Sequence, residues 1–272
     1  MKNQKITLIR AILFCLLCAA TLAIFSGTTK GLSTEWKEHL LLLIAIIVTY
    51  CLVIAFTMWE KLGRQDVGIV PNKSSFKKLA TGFGIGLLMT ALQPAFVLLF
   101  GHYKIDFNPH IPFQTAVFYL TLYLLVAIRE ELAFRSYPLF SLNYRFGLWP
   151  AQLTILVIFS LEHVAGGMTW GQAFLGPGTG ALLFGFAALK TNGIALPFGL
   201  HFAWNFGQWC FGFKKETGLL QGIAEKGFEN VVERNAWISY LIIMVIAILA
   251  FYFYKPKKSP EITYGQRAVT RL

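Results

Sequence analysis

Leu40-Leu41-Leu42-Leu43-Ile44-Ala45-Ile46-Ile47-Val48-Thr49-Tyr50-Cys51-Leu52-Val53-Ile54-Ala55-Phe56 runs for 17 residues without a charge. A bilayer core about 30 Å thick is crossed by about 20 mainly apolar residues in a helix. The stretch 39–59 therefore predicts a transmembrane helix. Seven further segments read the same way: 11–27, 79–101, 111–137, 150–167, 171–189, 193–213 and 237–254. Composition agrees, with 56% hydrophobic and only 14% charged residues, whereas a soluble domain carries about 25% charged residues. The 25 phenylalanines exclude a disordered or fibrous chain. The expected fold is all-α: a polytopic membrane bundle of about eight transmembrane helices, four of them carrying the site. The chain 1–272 reads as a single integral membrane domain, with no repeat or linker to divide it.

The formal net charge of +11 would suggest nucleic acid in a soluble protein. Here the basic residues sit between apolar runs, where they orient a membrane protein. With both termini cytoplasmic, 17 of the 24 Lys and Arg fall on the inner side. This predicts a multi-pass protein, assigned to the plasma membrane, with no nucleic-acid partner. The segment 214–235 runs against the rule, placing four bases outside. Lys2, Lys5 and Arg10 before the first apolar run also fit a signal peptide, but no small-x-small site closes it, and an uncleaved span is expected. All four cysteines lie in apolar stretches, so no disulfide framework is implied, and Cys15-x-x-Cys18 reads as structural. Gly82-x-x-x-Gly86 and Gly176-x-x-x-Gly180 offer close helix approach. Pro94 and Pro177 predict kinks.

Ionisable groups inside a bilayer are costly and mark function by default. Three clusters stand out: Arg129-Glu130-Glu131 with Arg135, Glu162-His163, and His201 with Asn205. Gln93 is a fourth polar intrusion, read as a helix-to-helix hydrogen bond. Glu131 and Arg135 are i,i+4 partners on one helix face, and Glu130 lies about 100° away. One carboxylate can thus pair with Arg135 while the other faces a reaction centre. His201 and Asn205 are likewise i,i+4 and project to one side. From their helix ends, Glu130, His201, Asn205 and His163 lie roughly 10, 12, 18 and 20 Å deep, in the same part of the bilayer. Glu162 points away from His163 and is expected to pair with another helix or orient a partner.

Two mechanisms fit this set. A glutamate can act as general base on a water while His201 and Asn205 donate to the oxyanion of a cleaved amide. Alternatively, His163, His201 and a glutamate bind zinc, which activates the water. No His-Glu-x-x-His helix is present, and no Gly-x-Ser-x-Gly elbow suggests a serine hydrolase.

Glu130-Glu131-x-x-x-Arg135, Phe159-x-x-x-His163 and His201-x-x-x-Asn205, in this order on successive apolar helices, resemble the three motifs of the CPBP (Abi) family, which includes the type II CAAX prenyl proteases. The likeness covers roughly residues 110–210, within a motif-bearing core of about 110–213. It implies an eight-helix intramembrane endopeptidase opening to the cytosol. By that resemblance Glu130 is the water-activating base assisted by His163, His201 and Asn205 stabilise the oxyanion, and Glu131 and Arg135 hold the site together. No cofactor is favoured, zinc being the alternative. The implied partners are a peptide or protein substrate, membrane-anchored or not, and the lipid bilayer. A non-enzymatic scaffold or bacteriocin-immunity protein of the same family is the alternative function, and a proton-coupled carrier a further one.

Overall fold

The computed structural model describes residues 2–28, 36–214 and 218–255. Along the chain lie α1 (Lys2–Thr28), α2 (Lys37–Trp59), α3 (Ser75–Leu99), β1 (Tyr103–Phe107), α4 (Phe113–Phe134), α5 (Tyr137–Phe146), α6 (Leu148–Ala165), α7 (Trp170–Leu175), α8 (Pro177–Thr191), α9 (Ala195–Cys210), β2 (Leu220–Ala224) and α10 (Glu229–Phe253). The protein is a multi-pass membrane helix bundle. Its one departure from an all-helical pattern, among the described residues, is the antiparallel ribbon that pairs Tyr103 with Ala224 and Phe107 with Leu220.

Six helical segments of the described residues, not eight, are long and apolar enough by themselves to cross a membrane. The two expected spans that fall short are α4 and α9, and the reason is chemical. The last turns of α4 hold Arg129, Glu130 and Glu131, and α9 has only 16 residues. Helix α9 is largely buried and packs against α3, α4 and α8, while α4, buried in its last turns, packs against α2 and α9. The α7 and α8 pair forms one of the six segments, broken at Gly176-Pro177 where a kink was expected.

The fourth expected span, 111–137, ends early. Helix α4 stops at Phe134, and a separate helix α5 begins at Tyr137. Pro138 has no N–H, and in a continuous helix its ring would strike the Phe134 carbonyl, so the chain breaks at Ser136. The α5 helix buries Tyr137, Leu139, Phe140 and Leu142 in a core shared with Phe14 and Phe56. Glu60, just past α2, ties this corner together. It accepts hydrogen bonds from Thr7 (2.6 Å), Tyr137 (2.8 Å) and Ser141 (2.5 Å).

Glycines set the closest approach in the bundle. A Cβ on Gly82 would lie 2.1 Å from the Leu196 carbonyl oxygen, and one on Gly199 would lie 2.1 Å from that of Leu79. Gly86 meets Leu200 and Ala203, and Gly207 meets Thr90. The helices α3 and α9 therefore run parallel with their backbones touching. The second expected motif works differently. Gly180 meets Phe184 of its own helix and Gly176 meets the Gln172 carbonyl, with Trp237 of α10 at 3.9 Å, while the residues that approach α6 are Gly178, against Ser160, and Gly185, against Gln152. Between α3 and α9, Gln208 donates to Gln93 Oε1 at 2.6 Å, the expected interhelical bond.

Candidate active site

Three helices carry the motif residues: α4 Glu130 and Glu131, α6 His163, and α9 His201 and Asn205, with Arg135 at the C-terminal cap of α4. His201 is the hinge of the arrangement. Its Nδ1 lies 2.9 Å from Glu131 Oε1, and its Nε2 lies 3.6 Å from Glu130 Oε2. A carboxylate oxygen only accepts, so Glu131 fixes an N–H on Nδ1 and turns Nε2 toward Glu130. The Phe184 ring of α8 stacks on the imidazole with centroids 4.4 Å apart, closing that face to water. His201 is buried, Glu131 almost completely so, and the Glu130 side chain retains 13% exposure, enough to reach a water.

Arg135 is completely buried, 3.7 Å from Glu131 Oε1, a charge pair too long for a hydrogen bond. Its guanidinium lies 4.4 Å from the Phe159 ring centroid and 5.3 Å from that of Phe184. With Phe134 at 5.8 Å, three aromatic rings and one carboxylate hold the cation. The expected i,i+4 partnership is present, and Glu130 faces His201 Nε2 instead.

His163 Nδ1 bonds the Phe159 carbonyl oxygen at 2.9 Å. Since a carbonyl only accepts, Nδ1 carries the proton and Nε2 is left as the acceptor. The Glu130 carboxylate lies in the field of Arg129 and Arg135, with both imidazoles nearby. Glu162, beside His163, turns to α4 and takes both guanidinium donors of Arg129, one of them, Nη2, at 2.9 Å. That bidentate pair locks α6 to α4 without entering the centre. Its signal in the sequence was two opposite charges buried on neighbouring helices.

Lys214, four residues past α9, is a residue that motif reading missed. Its Nζ donates to Asn205 Oδ1 at 2.9 Å and lies 4.7 Å from the Tyr123 ring centroid. The sequence placed it among the bases of an outer loop, and nothing in its spacing signals a return to the site.

A zinc ion needs three protein ligands converging on one point. Among the described residues, no group of three His, Cys, Asp or Glu meets that requirement. No step is derived through a metal.

Residues 112–207 match the Rce1-like family. The matching model is that of the Type II CAAX prenyl endopeptidase Rce1-like proteins. Its range holds every one of Glu130, Glu131, Arg135, His163, His201 and Asn205, consistent with the CPBP resemblance of the three motifs. The Rce1-like region runs from the start of α4 to the fourth turn of α9, so the match coincides with the helices that build the polar centre. No curated protein matches the chain.

Proposed function

We propose that the protein is an intramembrane endopeptidase of the CAAX-protease type, with a core over about 110–213 that hydrolyses peptide bonds by a glutamate-activated water and no zinc. The observation that carries this reading is His201 suspended between two glutamates, Nδ1 on Glu131 at 2.9 Å and Nε2 facing Glu130 at 3.6 Å. A structural salt bridge needs one carboxylate. The second, kept partly open, supplies a base.

Glu130 removes a proton from water as the water oxygen bonds to the scissile carbonyl carbon. His163, its proton held on Nδ1 by Phe159, accepts the water's second hydrogen bond at Nε2 and orients it. Charge develops on the carbonyl oxygen and is met by donors from His201 Nε2 and the Asn205 amide. For that donation the His201 ring needs an N–H on both nitrogens, and Glu131 occupies the other. Arg135 keeps Glu131 in place. Collapse of the intermediate breaks the C–N bond, and Glu130 returns its proton to the leaving amine.

The substrate is a peptide or protein reached from the cytosolic side of the plasma membrane. Comparison of protein termini in membranes of cells expressing the wild type or Glu130→Gln tests the assignment. A set of termini that disappears with Glu130→Gln, at unchanged protein level and fold, is expected. Identical termini in both, together with full biological activity of a Glu130→Gln, His201→Ala double variant, would overturn it in favour of a binding role. Chelation with 1,10-phenanthroline is expected to leave cleavage unchanged, and a loss that zinc restores would replace the glutamate mechanism by a metal one.

A further inference from the structure

We propose that Lys214 is a positioning residue of the hydrolytic site, folding back onto Asn205 so that the carboxamide presents its N–H groups, not its oxygen, to the scissile carbonyl. The proposal rests on the reading of Asn205 as an oxyanion donor.

A carboxamide can sit either way round, and only its partners decide which end faces a substrate. An ammonium has three donors and no acceptor, so a bond from Lys214 Nζ at 2.9 Å fixes the oxygen of Asn205 on its side. The two N–H donors of Nδ2 are then directed elsewhere. His201, one turn earlier on α9, cannot do this, because its nitrogens are directed to Glu131 and Glu130.

Local backbone structure brings Lys214 back. Helix α9 ends in a Schellman motif: Phe213 N–H bonds the Gln208 carbonyl, Gly212 N–H bonds the Trp209 carbonyl, and Gly212 takes φ +76°. A left-handed residue there reverses the chain at the end of the helix. The return is pinned at Gly218, where a Cβ would lie 2.4 Å from the Trp209 carbonyl oxygen and 2.9 Å from Gly212 Cα. The backbone at 212 and 218 is in contact, and the β1–β2 ribbon continues directly from it. Two glycines thus close the base of the segment that carries Lys214.

The groups facing the ammonium are Glu130 and the Tyr123 ring from α4 and the uncharged Asn205 from α9. Tyr119, Cys210 and Glu38 act in turn on Tyr123. Lys214 is an exposed residue whose amine reaches inward, and the surrounding protein pushes its pKa from 10.5 down to about 8, opposed by Glu130. Above that pH a neutral amine can accept as well as donate, so it no longer dictates the amide's orientation. Activity should fall as pH rises through about 8.

The experiment compares wild type, Glu130→Gln, Lys214→Met and Lys214→Arg in the terminus comparison, then kinetically in vesicles on a peptide spanning the site whose cleavage Glu130→Gln most reduces. Lys214→Met is expected to lower kcat by about 100-fold, the scale of a misplaced catalytic group. KM and melting temperature should stay near wild type, and the alkaline limb near pH 8 should vanish. Lys214→Arg, still a donor without an acceptor, should recover most of kcat and extend activity to higher pH. Gly218→Val, which forces the base of the segment apart, should lower kcat like Lys214→Met. Wild-type kcat and an unchanged alkaline limb in Lys214→Met, with Glu130→Gln inactive, would overturn the role of Lys214 alone. Termini unaffected by Glu130→Gln would overturn the peptidase reading, and this proposal with it.

Discussion

Removing the Glu162 carboxylate strands a buried guanidinium. Arg129 is 2% exposed and both of its terminal nitrogens bond Glu162, so Glu162→Gln breaks an ion pair the bundle cannot rehydrate. Loss of one partner of such a pair costs about 3–5 kcal/mol. The expected result is a clear drop in the denaturation midpoint, measured in detergent, with cleavage per folded molecule largely retained. Glu131→Gln should lower both activity and stability. The amide no longer favours an N–H on both ring nitrogens of His201, so kcat should fall by about 100-fold, and the completely buried Arg135 loses its carboxylate, so the midpoint should fall as well. At this scale the sequence spoke where chemistry is local. Glu131 with Arg135, and His201 with Asn205, were legible because a helix places i and i+4 on one side. Phe184 over His201 and Lys214 on Asn205 were not legible. The first is an ordinary phenylalanine among 25, and the second depends on a reversal of the chain at Gly212.

Among the elements, the contact of α3 with α9 sets the position of His201. The spacing of Gly82 and Gly86 announced it, yet the partner could not be named, since an apolar helix face does not encode which neighbour it meets. Gly199→Ala would force a methyl group to within 2.1 Å of the Leu79 carbonyl, whereas nothing lies within 4 Å of a Cβ on Gly84. Overpacking of this kind costs about 1–3 kcal/mol. Gly199→Ala is therefore expected to lower both the denaturation midpoint and kcat, through displacement of α9. Gly84→Ala, in the same helix pair, should change neither. Equal behaviour of the two would show that α3 and α9 are not in backbone contact. The expected fourth span overshot α4 because hydrophobicity continues through Leu132, Ala133 and Phe134 into Tyr137, and only Pro138 and the dihedral angles at Ser136 separate the two helices.

For the molecule as a whole, apolar runs located all eight expected segments, but only six of those described are by themselves long and apolar enough to cross a membrane. The six segments that qualify as spans are those without a motif carboxylate, and both helices that fail carry the polar centre. That division has a consequence for biogenesis. Each buried charge disfavours insertion from the translocon by about 2.5–3.5 kcal/mol, and a 16-residue helix reaches only about 24 Å. As isolated nascent segments, α4 and α9 should stay at the interface. With the glycine seam of α3 already in the lipid, α9 has a surface onto which it can slide. Glycosylation mapping of chains truncated after Cys210 should report full insertion when α3 is present and failure when α3 is replaced by a polyleucine helix. Assembly order would then act as a safeguard, since the two glutamates and His201 could not meet until the surrounding wall had already been laid.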